Sequence, residues 1–136
     1  NGEVFDFLIV TPNTTKWAHF IWEMDCELEI AAILYEGTTA SANGTSIPAF
    51  NRNRNSAGTA TTLTSHTPTV AGGAEGTAIR NVHVGTGKTA GGEEHGTHEF
   101  ILKQNTKYLF RVTNATPSVN WIRMKFDWYE HTSKRA

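Results

Sequence analysis

At 136 residues and 15.0 kDa the chain is the size of one domain. Twelve basic against thirteen acidic residues leave a net charge of −1, which excludes the clustered basic surplus of a nucleic-acid grip. A lone Cys26 excludes an intramolecular disulfide framework and any multi-thiolate metal site, and no apolar run approaches the roughly 18–20 residues of a membrane-spanning helix.

The rest of the composition leans toward extended chain. Twenty Thr, ten Asn, 12 Gly and 4 Pro favour strands and turns, because Thr is β-branched while Asn, Gly and Pro punctuate. Seven Phe, four Trp and three Tyr provide bulky material for one modest core. The opening Asn1-Gly2-Glu3 has neither the charged nor the apolar region of a signal peptide, and its lack of a Met leads us to expect a trimmed amino end.

Val4 to Val10 reads as a strand, closed by the turn-forming Thr11-Pro12-Asn13-Thr14-Thr15. From Phe20 to Leu34 every even position (Phe20, Trp22, Met24, Cys26, Leu28, Ile30, Ala32, Leu34) is apolar, and Glu23, Asp25, Glu27 and Glu29 occupy odd ones. Period two held this long marks a sheet with one buried face, here as two strands sharing a bend near Asp25. A helix over 22–36 would suit the Glu, Met, Ala and Leu propensities but would spread the even positions around most of its circumference.

Between Gly37 and Ala78 the composition turns to Gly, Thr, Ser, Ala and Asn, with a basic island at Asn51-Arg52-Asn53-Arg54-Asn55. Structureless loops this long are uncommon, so 46–50 and 59–64 are expected to hold strands. Arg80 to Val84 reads as another strand, followed by a second glycine-rich loop over 85–96. Segments 97–103 and 107–113 flank Gln104-Asn105-Thr106, a link of hairpin length. The last strand is expected over Val119 to Tyr129, with Ile122, Met124, Phe126 and Trp128 on one face. Seven to nine short strands and no helix predict a single all-β domain over 1–136, an antiparallel β-sandwich or jelly-roll-like barrel with long polar loops.

No catalytic, metal or cofactor site follows from the motifs. Gly85-Thr86-Gly87-Lys88-Thr89 resembles the tail of a phosphate-binding loop, but Val82 stands where the pattern needs glycine and no helix follows. His95 and His98, with Glu93, Glu94 and Glu99 near, are three apart and would point to opposite faces of a strand. The acids at 23, 25, 27 and 29 have the roughly 6.6 Å spacing that a glycosidase pair could use. Nothing buries one of them, so cross-strand pairing with Arg123 and Lys125, or with Lys107 and Arg111, is the expected use. Cys26 falls among the core-facing positions, which argues against a reactive thiol. Trp17, Trp121 and Tyr129 lie off the core parity and are candidates for stacking on a sugar or anchoring an interface. Arg52 and Arg54 are candidates for contacting a partner's acids. The three Asn-x-Thr matches at Asn13, Asn43 and Asn114 are expected by chance in so much Asn and Thr.

The segments 40–45, 50–55, 59–63, 85–88, 101–111 and 126–132 (the last being Phe126-Asp127-Trp128-Tyr129-Glu130-His131-Thr132) carry a resemblance. Through them the chain resembles small structural proteins of tailed bacteriophages encoded among head genes. The resemblance implies a virion component on the capsid surface, a decoration or cement protein that binds the major capsid protein or other virion proteins, with a homotrimer as the expected assembly. Loops 37–78 and 85–96, with Arg52, Arg54 and Lys88, are then expected to carry the contact. The alternative is a carbohydrate-binding β-sandwich or adhesion module of a head fibre or tail, using Trp17 or Trp121.

Overall fold

The structure, a computed structural model, describes residues 2–85 and 99–132 together with the backbone of 92–95. Ten strands and no helix are found among the described residues: β1 (Val4–Val10), β2 (Lys16–Cys26), β3 (Ile30–Glu36), β4 (Thr45–Ile47), β5 (Leu63–His66), β6 (Thr77–Val84), β7 (Gly92–His95), β8 (Phe100–Ile101), β9 (Lys107–Asn114) and β10 (Ile122–Thr132). All pairings are antiparallel. One sheet runs β4-β5-β1-β9-β3-β6 and the other β10-β2-β7, with the short β8 pairing β2 beside His19 and Phe20. Aromatic rings tie the layers into a β-sandwich: Phe7 of β1 meets Phe126 of β10 at 5.5 Å, and Trp22 of β2 meets Phe110 of β9 at 5.2 Å.

The period-two pattern is the reason for this arrangement. Phe20, Trp22, Met24, Cys26, Ile30, Ala32 and Leu34 are each at most 6% exposed, so the parity survives the passage from β2 in one sheet to β3 in the other. The bend falls at residues 27–29. There the Asn120 side chain substitutes for a neighbouring strand, accepting from Leu28 N at 2.8 Å and donating to Leu28 O at 3.0 Å. Backbone groups that leave a sheet must find partners elsewhere, and this amide supplies both.

Two expectations are corrected. Gln104–Thr106 does not close a hairpin, since β8 belongs to the small sheet and β9 to the large one. Phe100 packs against the core and Leu102 is buried while Tyr108 must enter the opposite layer, so 102–106 carry the chain across the sandwich. That crossing is held by Lys103 N donating to the Tyr108 hydroxyl at 2.8 Å and Asn105 N donating to Pro12 O at 3.0 Å. The segment 37–78 holds less strand than its composition implied, with β4 and β5 only three and four residues long. It is ordered by hydrogen bonds instead, among them Thr39 N to Ala74 O and Thr69 N to Ala42 O, both 2.9 Å.

Gly76 is one place where backbone freedom is required. Its φ is +97°, and a Cβ there would stand 2.3 Å from Glu36 O. Gly76→Ala is therefore expected to cost about 2 kcal/mol, combining left-handed strain with a backbone shift; urea denaturation of the variant beside the parent measures it.

Candidate functional site

β10 is eleven residues long and forms an outer edge of the small sheet, its far side paired to no strand among the described residues. The large sheet extends further than the small one. Ring contacts place β10 over β1 and β9, with Phe126 meeting both Phe7 and Phe110, so β5 and β4 run beyond the last strand above them. The resulting step is a groove of about 720 Å³. Its floor includes Phe7, Ile47 and Thr64, one wall is β10 from Met124 to Glu130, and the other is the loop 48–60 with Phe50 and Arg52. Phe50 is 73% exposed and Tyr129 54%, a large apolar investment left facing water.

The loop wall explains the basic island. Asn51 Oδ1 accepts from Asn53 N at 2.9 Å and Asn53 Oδ1 from Asn55 N at 3.1 Å, while Asn51 Nδ2 donates to Gly58 O at 3.2 Å. These successive side-chain-to-backbone turns shape the loop. The intervening arginines diverge. Arg52 reaches over the groove to Asp127, with Nη1–Oδ1 at 3.7 Å, whereas Arg54 stays on its own loop with its guanidinium 5.8 Å from the Phe50 ring centre.

Glu130 fastens this wall to β10. Its carboxylate accepts from Thr62 N at 2.7 Å, Thr61 N at 2.9 Å, the Thr61 hydroxyl at 2.8 Å and Trp128 Nε1 at 3.2 Å. Burial pushes the carboxyl up, but the donors of Thr61 and Thr62 favour the charged form more strongly and hold it below its ordinary value.

The outer face of the β2–β10 pair carries two groupings. Toward Cys26 lies a charge ladder: Arg123 is opposite Asp25 and grips it through Nε and Nη2, and Lys125 is opposite Glu23, with Nζ 3.9 Å from Glu23 and 3.3 Å from Asp127. Two of the four striped acids thus pair as expected, and Glu29 meets His83 Nε2 at 3.0 Å. The other proposed cations do not take part. Arg111 lies in the large sheet, forked onto Asp6 at 2.9 and 3.0 Å and reaching Glu75 at 3.2 Å, and Lys107 donates to Asn43.

Toward the opposite end the same face gathers rings. His19 stacks on Tyr129 at 4.4 Å, His131 lies 4.5 Å from His19, and Trp17 lies 6.0 Å from His131. Glu99 receives His19 Nδ1 and the Tyr129 hydroxyl, the latter at 3.3 Å. Desolvation and then the Glu99 charge raise the Tyr129 phenol, which keeps it a donor. Sequence reasoning found Trp17 and Tyr129 by parity but missed His19 and His131, and it weighed Glu99 beside His95 and His98 without its partners His19 and Tyr129. The only available signal was their odd-position placement.

Trp121 is exposed but immediately precedes β10, so it stands ten residues from His131, the partner of Trp17. At about 3.3 Å per residue the two tryptophans are roughly 30 Å apart and cannot share one ligand ring. Cys26 is buried, as expected. Asn114 is also buried, with its amide donating to Ser118 O, a placement that a glycan could not share. Lys88 and His98 lie outside the described residues, as do the side chains of Glu93, Glu94 and His95. Compared with protein-family models, with curated proteins and with solved structures, the chain matches none.

Proposed function

We propose that this domain is a non-enzymatic structural protein that works by holding other proteins against its β10 side. Following the sequence resemblance, its setting is the surface of a tailed-phage head, as a homotrimeric decoration or cement protein contacting the major capsid protein. The observation that supports this reading best is the coincidence of an eleven-residue strand edge paired to no strand among the described residues, a groove of about 720 Å³ and exposed Phe50 and Tyr129 on one side. Open strand edges and large exposed apolar groups are liabilities in a solitary protein and assets at an interface. Modest contacts of this kind, repeated on a lattice, add up through multivalency.

The test is to mix purified protein with expanded heads of the phage that encodes it. Binding at fixed stoichiometry and a higher head-disruption temperature are expected. Arg52→Glu is expected to weaken occupancy about tenfold, or 1.4 kcal/mol, and Arg54→Glu less, because only Arg52 reaches across the groove. No binding by the unaltered protein overturns the reading, and unchanged occupancy with Arg52→Glu removes the groove from it.

A second reading rests on the ring row of Trp17, His131, His19 and Tyr129. A flat sheet face bearing exposed aromatic rings can stack on sugars. Trp17→Ala abolishing a glycan-array signal supports carbohydrate binding there; a blank array removes it.

A further inference from the structure

The outer-face histidines carry a consequence independent of the groove. His19 and His131 are diagonal neighbours across β2 and β10, since Tyr129 is directly opposite His19 and Trp17 opposite His131. His19 is 8% exposed, and His131 is partly buried at the end of its strand. Their Nε2 atoms face each other at 2.5 Å.

The position of each ring hydrogen follows from the partner on the other nitrogen. His131 Nδ1 meets Thr132 O at 3.1 Å, and a carbonyl only accepts, so Nδ1 carries the hydrogen. His19 Nδ1 meets Glu99, whose same oxygen also accepts from the Tyr129 hydroxyl, so this Nδ1 carries a hydrogen too. A neutral imidazole has one N–H. Each Nε2 therefore presents a lone pair, and the two lone pairs converge. They repel each other unless a cation lies between them. An imidazole whose remote nitrogen donates to a carboxylate or a backbone carbonyl is also the usual outer arrangement around a histidine metal ligand, because it fixes the tautomer and raises ligand basicity.

We propose that His19 and His131 form a two-histidine site for a divalent transition metal ion that prefers imidazole, such as Zn²⁺, Ni²⁺ or Cu²⁺. Glu99 and the Thr132 carbonyl orient the rings, and water takes the remaining positions on the solvent-facing side. No group of three or more His, Cys, Asp or Glu side chains is placed to share an ion among the described residues, which supply two ligands. Ligand nitrogens about 2.0–2.1 Å from a tetrahedral ion stand about 3.3 Å apart, so the rings open by under 1 Å on loading. His131 lies near a strand end and is the less buried of the two rings.

The experiment uses the full chain without a histidine tag, stripped of metal, and titrates it with Zn²⁺ by calorimetry and with Co²⁺ by visible absorption. One equivalent is expected, with a Kd on the order of 10 µM. His131→Ala, at a partly exposed position, is expected to abolish binding while leaving the far-ultraviolet circular dichroism unchanged. Glu99→Gln, a positioning change, is expected to weaken Zn²⁺ binding by about tenfold or more. Should the His131 variant unfold, imidazole ¹⁵N spectra of the parent decide instead, with Zn²⁺ expected to shift both Nε2 resonances. Absence of Zn²⁺ and Co²⁺ binding overturns the proposal. So does binding that survives His131→Ala, or a spectrum in which a shared proton occupies the Nε2 pair and Zn²⁺ does not displace it.

Discussion

Phe110→Ala is expected to lower the unfolding free energy by about 3–5 kcal/mol, the range for emptying a fully buried aromatic site. Phe110 is 1% exposed and projects from β9 between the sheets, meeting Trp22 of β2 at 5.2 Å and Phe126 of β10 at 5.7 Å. No single neighbour can fill the gap, because its contacts come from both principal strands of the opposing sheet. For a chain of this length the melting temperature should fall by roughly 10–20 °C. The urea m-value should stay constant, since the surface exposed on unfolding hardly changes. Val119→Ala is the control: Val119 is 92% exposed, and its loss should register within about 0.5 kcal/mol. A cost below about 1 kcal/mol for Phe110→Ala would mean that the layers are not held together through these rings.

The strands were legible in the sequence wherever one face is buried. β1 spans Val4–Val10 as read, and the even positions from Phe20 to Leu34, except Leu28 in the bend, report the core because alternation follows directly from strand geometry. What depends on which strands are neighbours was not legible. The 104–106 link looks like a hairpin by length alone, yet the chain changes sheet there, a decision made by where Leu102 and Tyr108 are buried. The groove follows from strand order, since it exists because β4 and β5 outrun the smaller sheet. Likewise His19 and His131 are separated by 112 residues and meet only through the β2–β10 register. Sequence reasoning weighed His95 and His98 because they are close along the chain, where proximity in space cannot be inferred for strands. The basic island was noticed for its arginines, whereas its asparagines prove to be what shapes it. Charge pairing was legible in part. Asp25 and Glu23 find Arg123 and Lys125 because alternation placed all four on outward faces, but Arg111 sits in the other layer, held by Asp6 and Glu75.

Glu130→Gln is expected to destabilise the domain by about 2–3 kcal/mol near neutral pH, because hydrogen bonds to a charged acceptor are the strong ones and the new amide would turn donors toward donors. Four groups depend on this carboxylate, two of them the backbone N–H groups of Thr61 and Thr62 at the end of the loop that walls the groove. The sign of the pH dependence follows from the direction of the shift. A carboxyl held below its ordinary value in the folded state contributes stability above the unfolded value, near pH 4.3, and loses it as pH falls through the folded value. The gap between parent and variant should therefore be full at neutral pH and close progressively as pH drops below about 4. Urea midpoints at several pH values measure it. A gap that persists unchanged into acid would mean that the side chain acts by packing alone. Because the same bonds hold loop 48–60 near β10, the variant should also lose affinity for whatever occupies the groove, and by more than its neutral-pH stability loss alone explains if the wall is freed before the core unfolds.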